Sequence, residues 1–177
     1  EYINNVISAE LSDTYWTIGL PQSMDTSVAS SPIFNVFLAA QVKMNDKGFL
    51  SKDITVKDLI ELKGDIHHIY PRNYLKKRNY NRGMYNQIAN YVMAQSEINI
   101  AIGDKEPEKY FSELINQCET KVAKYGAIID IDQLKENLKA NCIPLKLIEG
   151  EKLNYEDFLK ERRFLMANKI KEYFALL

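Results

Sequence analysis

The sequence predicts a mostly helical α+β fold that contains one small β-sheet. Apolar residues recur at helical spacing, with capping residues at several helix starts, through 31–63 and 107–177. Between these helical flanks, two short strand-like segments are followed by a short helical one, at about 64–103. We therefore expect a single domain over 1–177, in which helical flanks support a strand–strand–helix unit.

The first flank carries two sets of helix-start signals. In SSPIFNVFLAAQVK, Ser31 is a capping residue and Pro32 takes the first helical position. In TVKDLIELKG, Thr55 and Asp58 form a variant of the capping box, and Gly64 is expected to end the helix. The earlier stretch YWTIGLPQSMDTS fits either a strand or irregular structure.

The second flank predicts three helices. EPEKYFSELINQCETKV begins its helix at Pro107 and repeats apolar residues as far as Val122. DIDQLKENLKANC has the same periodicity. NYEDFLKERRFLMANKIKEYFALL predicts a long final helix, capped by Asn154, with Phe174 and Leu177 among its inward residues.

The stretch GDIHHIYP contains the two histidines of the chain, His67 and His68. We interpret it as a strand, because Ile66 and Ile69 bracket the pair and Pro71 ends it. Neighbouring side chains of a strand point to opposite sides, so two imidazoles reach a phosphate from two directions more easily than they chelate one ion. The alternative is a strand whose histidines only pack or face solvent.

The charge is unevenly distributed. The net charge is −1, but 63–82 holds six basic residues against one acid, a balance of +5 that leaves −6 for the rest of the chain. The basic residues are Lys63, Arg72, Lys76, Lys77, Arg78 and Arg82. Such a patch on an otherwise acidic protein fits local phosphate binding, and its alternative is a solvated helix face.

Composition excludes several classes of protein. The two cysteines, Cys118 and Cys142, are too few for a disulfide framework or a four-cysteine zinc site. No apolar run approaches the ~20 residues that span a bilayer, and no secretory signal is present. We therefore expect a soluble, cytoplasmic protein.

The central segment has the layout of a ββα-metal finger, also called the HNH or His-Me finger. NQIANYVMAQSEINIAIGDK predicts a strand at 89–93 and a helix at 96–102. The histidine pair on the first strand, Asn90 on the second and Asn99 on the helix follow the spacing of that motif. Because no cysteine pairs bracket it, no structural zinc is needed, and the surrounding helices must hold it in place.

The stretches ITVKDLIELKGDIHHIYPRNYLKK and YNQIANYVMAQSEINIAIGDKEPEKYF resemble the C-terminal HNH region of the GmrSD-type modification-dependent restriction endonucleases. The likeness extends to YWTIGLPQSMDTSVASSPIFNVFLAAQVK and RRFLMANKIKEYF, and so covers roughly 15–174. It implies a C-terminal fragment, in keeping with a start at Glu1, whose partners are DNA and an N-terminal ParB-like, nucleotide-hydrolysing domain of the same polypeptide.

The resemblance also assigns roles to the site residues. It makes His68 the general base, and it makes His67 and Asn99 the ligands of a divalent cation. Asn90 would tie the loop between the strands and so fix the position of the base. Asp65, on the nominal face of His67, either orients that ring, supplies a further ligand, or is a simple surface acid.

Two ligands plus water suit Mg²⁺, with Mn²⁺ as a possible substitute. The segment PRNYLKKRNYNRG follows the first strand, where its basic side chains would bind DNA phosphates without reading sequence. These phosphate-binding candidates are Arg72, Lys76, Lys77 and Arg78. Tyr74 and Tyr80 are expected to pack under the loop rather than stack on bases.

The function implied is that of an HNH endonuclease domain, which hydrolyses DNA phosphodiester bonds in defence against foreign or modified DNA. The alternative from another class is a catalytically inert HNH-like module, kept for structure or protein contacts inside a larger defence protein. RNA cleavage by the same chemistry is a third possibility, because the motif contacts the backbone and not the bases.

Overall fold

The computed structural model describes residues 2–177. Helix accounts for 59% of the residues and strand for 6%. The α-helices are α1 (Tyr2–Glu10), α2 (Leu20–Ser23), α3 (Pro32–Lys43), α4 (Val56–Glu61), α5 (Arg72–Lys76), α6 (Arg82–Tyr85), α7 (Ser96–Ile102), α8 (Pro107–Thr120), α9 (Ile131–Ala140) and α10 (Tyr155–Ala175). The prediction of a mostly helical α+β fold with a small sheet is confirmed. Within the described part of the chain, no helix combines the length and the apolar character needed to cross a membrane.

The sheet consists of β1 (Asp65–His68) and β2 (Tyr91–Ala94), which are antiparallel. Their register pairs His67 with Val92 and His68 with Tyr91. On the other side of β2, the backbone N–H of Phe49 donates to the carbonyl of Met93 at 2.8 Å. Helix α4 packs on β2 and α7 packs on β1, so the sheet is supported by helices.

The N-terminal stretch is helical, so the expectation of a strand or irregular structure is wrong. A π-helix at Tyr15–Gly19 leads directly into α2. Trp16, Leu20 and Met24 are all buried at a spacing of four residues, which is the spacing of one helix face. The indole N–H of Trp16 also donates to the carbonyl of Leu11 at 2.9 Å, which satisfies the polar end of a buried ring.

The predicted helix starts in the first flank are confirmed. The Ser31 hydroxyl accepts a bond from the backbone N–H of Phe34, and Pro32 opens α3. Thr55 and Asp58 make both bonds of a capping box at the start of α4. These bonds satisfy backbone donors that the first turn of a helix leaves without partners.

The end of α4 differs in detail from the prediction. The helix ends at Glu61, and Lys63 rather than Gly64 takes the left-handed conformation, with φ of 53°. Gly64 is needed for a different reason, since a Cβ there would lie only 3.0 Å from the Leu59 side chain and 3.1 Å from its carbonyl oxygen. The close approach lets the chain turn from α4 directly into β1.

Helix α8 ends before Val122, which was expected on its buried face. Lys121 is left-handed, with φ of 58°, and Val122 is 67% exposed. The buried Gln117 amide explains the early end, because it donates to the carbonyls of Tyr125 and Ile128. The chain after α8 is thereby folded back against the helix instead of continuing it.

The end of α10 is more exposed than the sequence predicts. Buried positions recur along the helix only as far as Ile170, and Leu177 is 80% exposed. Phe174 is 41% exposed, although its ring still contacts that of Trp16, at 5.8 Å between centroids. The prediction that Phe174 and Leu177 face the core is therefore wrong.

A fully buried arginine joins α10 to the chain around β2. The guanidinium of Arg162 donates to the carbonyls of Ala89 and Tyr91 at 2.7 Å each, and to that of Asn141 at 3.3 Å. No carboxylate is among its partners in the described residues. Burial lowers the pKa of Arg162 to about 10, so the group is still a cation at neutral pH.

Candidate functional site

Strand β1 gives its two histidines different surroundings. The His67 side chain is buried and its ring lies nearly parallel to that of Phe49, at 6.0 Å between centroids. His68 is half-buried, and its ring packs edge-on against Tyr91 at 5.1 Å. Both line one cavity, so the strand presents two imidazoles of unlike environment to the same space.

That cavity has a volume of about 320 Å³ and lies between β1, α5 and α7. Most of its wall is polar, in contrast to the apolar core behind the sheet. It is lined by Ile66, His67, His68, Pro71, Arg72, Asn73, Asn99, Gly103 and Asp104. The sequence-predicted residues that meet here are the histidine pair, Asn99 and Arg72.

His67 and Asn99 make direct contact. Nδ1 of His67 lies 2.5 Å from Oδ1 of Asn99, which is carried by α7. Burial lowers the pKa of His67 to about 4, so the ring is neutral at pH 7 and has a single N–H. An amide oxygen only accepts hydrogen bonds, so this contact places the proton on Nδ1.

The other ring nitrogen of His67, Nε2, is enclosed. It has no hydrogen-bond partner in the part of the chain that the structure describes. A neutral imidazole nitrogen without a proton is an acceptor, and leaving it unpaired is less unfavourable than burying a charge. The ring is thus held in place by the Asn99 contact on one side and by Phe49 on the other.

His68 is held by a residue that sequence reasoning missed. Its Nε2 lies 2.9 Å from Oδ1 of Asn86, in the segment that follows α6. Burial lowers the pKa of His68, the Asn86 contact opposes that shift, and the nearby Arg72 cation lowers the pKa further. The His68 ring is therefore biased towards the neutral form that can accept a proton.

Asn90 does not lie on the second strand as predicted: it ends a 3₁₀ helix, Ile88–Asn90, directly before β2. It is fully buried and bonds to the chain that connects the two strands. Its Oδ1 accepts from the backbone N–H of Tyr70 at 2.8 Å. Its amide nitrogen donates to the carbonyls of Tyr70, at 3.1 Å, and Tyr85, at 3.2 Å. One side chain therefore fixes both ends of the loop that carries the basic segment.

Two carboxylates lie near the cavity, and they differ in position. Asp65 is exposed, accepts a hydrogen bond from the Ser96 hydroxyl at 2.7 Å, and is not among the residues that line the cavity. Asp104 does line it, and accepts a bond from the Asn73 amide at 3.0 Å. Sequence reasoning singled out Asp65 and missed Asp104.

The basic residues of the loop are not equivalent. Arg72 is exposed, lines the cavity, and has no ion pair among the described residues. Arg78 is paired with Glu106 at 2.8 Å, and its guanidinium lies 3.7 Å from the centre of the Tyr74 ring. Lys76 and Lys77 are exposed, away from the cavity wall.

The two tyrosines of this loop pack as expected. Tyr74 and Tyr80 are partly buried against the main core, and the Tyr80 ring meets that of Tyr155 edge-on at 5.2 Å. The hydroxyl of Tyr80 donates to Glu156 at 2.5 Å, which fixes the loop to the start of α10. Stacking on bases would require these rings to leave the core.

The contact between His67 and Asn99 brings together two side chains that could hold a metal ion. An imidazole nitrogen and an amide oxygen converge there, and both are donors found in divalent-metal sites. Among the described residues, no group of three or more histidine, cysteine, aspartate and glutamate side chains could hold an ion.

Comparison with family models, curated proteins and solved structures finds no match to this chain.

Proposed function

We propose that this chain is a metal-dependent HNH-type endonuclease domain that hydrolyses DNA phosphodiester bonds. The observation that carries the proposal is one cavity shared by His68, the His67–Asn99 contact and Arg72. The order β1, β2, α7 supports a ββα-metal finger, and the resemblance to the GmrSD-type enzymes supports a role in defence beside a ParB-like domain.

His68 is the general base of this proposal. Its Nε2 is engaged by Asn86, and its Nδ1 has no partner among the described residues and is not enclosed. A neutral ring can therefore use Nδ1 to take a proton from a water molecule in the cavity as that water attacks phosphorus. The burial that lowers the pKa of His68 keeps the base unprotonated at neutral pH.

His67 and Asn99 would hold Mg²⁺, with Mn²⁺ as a substitute. When bound, the ion would supply positive charge to offset that of the pentacovalent phosphorus and of the leaving 3′ oxygen. His67 is neutral at pH 7, as a ligand must be, and it would bind the ion through Nδ1 in the tautomer that carries the ring proton on Nε2.

Arg72 and Asn90 support the reaction in different ways. The guanidinium of Arg72 lines the cavity, forms no ion pair among the described residues, and would bind a phosphate oxygen of the DNA backbone. Asn90 bonds to Tyr70 and Tyr85, and so keeps the chain on both sides of the basic loop at a fixed distance from β1. Neither role reads a base sequence.

The direct test is cleavage of supercoiled plasmid DNA by the purified chain. We expect nicked and linear products with millimolar Mg²⁺ or Mn²⁺, and none when EDTA replaces the metal. A structured RNA of similar length, in a parallel reaction, distinguishes a DNA nuclease from an RNA nuclease. Intact plasmid under every metal condition would support the inert-module alternative instead.

A second test compares two arginines of the same loop. Arg72→Ala should reduce the slope of log affinity against log salt by about 0.9, because one fewer phosphate is neutralised. Arg78→Ala should change it much less, because the Arg78 cation already faces Glu106 and the Tyr74 ring. The measurement is fluorescence anisotropy of a labelled duplex in EDTA over a series of KCl concentrations. Equal changes in both variants would place the DNA away from the cavity.

A further inference from the structure

Asn86 contacts the proposed base but belongs to neither strand nor to α7. It lies directly after α6, where its backbone N–H donates to the carbonyl of Arg82 at 3.1 Å. The preceding residue, Tyr85, is buried, and its carbonyl accepts from both the Asn90 amide and the Tyr155 hydroxyl at 3.2 Å. The backbone that carries Asn86 is therefore held from two sides.

The chemistry of the contact determines where the His68 proton lies. A neutral imidazole has one N–H, on either Nδ1 or Nε2. The atom of Asn86 that lies 2.9 Å from Nε2 is Oδ1, which accepts and does not donate. The hydrogen bond therefore requires the proton on Nε2, and the lone pair is left on Nδ1, the nitrogen that is not enclosed.

We infer that Asn86 is a positioning residue, whose amide oxygen holds His68 in the Nε2–H tautomer and so presents Nδ1 to the cavity. That Nδ1 is the base rests on the proposed function, whereas the tautomer itself does not. Asn86 would act through His68 without touching the substrate, in the way that a carboxylate orients the histidine of a catalytic triad.

The same reasoning gives His67 the opposite tautomer. Its Nδ1–H donates to Asn99, while Nε2 is enclosed without a partner among the described residues. The chain contains two histidines, so the ring nitrogens of the whole protein give only four signals in a spectrum. The two tautomers can therefore be read in the intact chain without any activity measurement.

The test is a long-range ¹H–¹⁵N correlation spectrum of the metal-free, ¹⁵N-labelled chain at about pH 8, where an ordinary histidine is neutral. We expect one ring protonated at Nδ1, assigned to His67, and one protonated at Nε2, assigned to His68. A His68 ring protonated at Nδ1 in the wild-type protein would overturn the inference, because the Asn86 amide would then be donating.

Variants test the cause of the tautomer. Asn86→Leu keeps the size of the side chain but removes the acceptor, and should give His68 a mixture of tautomers while His67 is unchanged. Asn86→Asp restores an acceptor and should restore Nε2–H. Asn99→Leu is the matched control, and should disturb His67 but not His68. An unchanged His68 signal in Asn86→Leu would contradict the inference.

Cleavage kinetics then connect the tautomer with the reaction. Asn86→Leu should slow cleavage at saturating DNA by about 10- to 100-fold, less than loss of the base itself, with DNA affinity unchanged. Asn86→Asp should recover most of the rate, which a merely structural defect would not do. If the tautomers behave as expected and the wild-type chain cleaves nothing, the proposed function fails while the role of Asn86 in holding His68 stands.

Discussion

Replacing His68 by alanine should slow metal-dependent plasmid cleavage by about 10²–10⁴-fold, while DNA affinity and the metal requirement hardly change. The reason is that His68 lines the cavity and its Nδ1 is neither enclosed nor paired among the described residues, whereas Nδ1 of His67 is engaged by Asn99 and its Nε2 is enclosed. The measurement is the initial rate of nicking at saturating Mg²⁺, with affinity measured separately in EDTA.

His67→Ala and Asn99→Ala provide the contrast. Each removes one of the two proposed metal ligands, so each should raise the Mg²⁺ concentration that gives half-maximal cleavage. Added Mn²⁺, which binds nitrogen ligands more strongly, should partly restore these two variants but not His68→Ala. If His67→Ala and His68→Ala respond identically to added metal, the two histidines do not divide the roles as proposed.

Arg162→Met should lower the free energy of unfolding by about 3 kcal/mol, because it leaves buried carbonyl groups without a donor. The oxygens affected belong to Ala89, Tyr91 and Asn141, and all three now accept from the guanidinium. Methionine fills a similar volume, so the loss reports hydrogen bonding rather than a cavity. Urea denaturation followed by circular dichroism measures it.

The neighbouring arginine is the matched control for this prediction. Arg163 pairs with the exposed Asp25 at 2.8 Å, so Arg163→Met should lower the free energy of unfolding by less than about 1 kcal/mol. Arg162→Lys keeps the charge but has a single nitrogen in place of the planar guanidinium. Its loss of unfolding free energy should fall between those of the two methionine variants. Equal losses of unfolding free energy in both methionine variants would mean that the buried hydrogen bonds of Arg162 stabilise the protein no more than the ion pair of Arg163.

The parts of the fold that the sequence predicts well depend on local interactions. A cap needs only residues within one turn, so Ser31, the Thr55–Asp58 box and Asn154 could be identified without knowing what surrounds them. The errors concern helix ends and faces that tertiary contacts decide. Val122 continues an apolar pattern, yet Gln117 captures the following backbone and ends α8 first.

The candidate site divides in the same way. His67 and Asn99 could be paired in advance because the resemblance to HNH enzymes assigns both to one site, and the structure places them in contact. Asn86 and Asp104 could not be assigned to the site in advance, because each lies in a connecting segment. The position of such a segment depends on how the whole chain around it folds. The pairing of Arg78 with Glu106 was equally hidden, since the two are 28 residues apart.

The Arg162 hydrogen bonds join two parts of the chain that are synthesised at different times. The residues that line the cavity all lie between 66 and 104, and they leave the ribosome before Arg162 does. The guanidinium that binds the carbonyls of Ala89 and Tyr91 follows 73 and 71 residues later. Closing so long a loop is entropically unfavourable until helix α10 can dock. A nascent chain that stalls before Arg162 therefore carries every proposed catalytic side chain without the hydrogen bonds that join α10 to β2, and its candidate site is complete only after helix α10 has been synthesised.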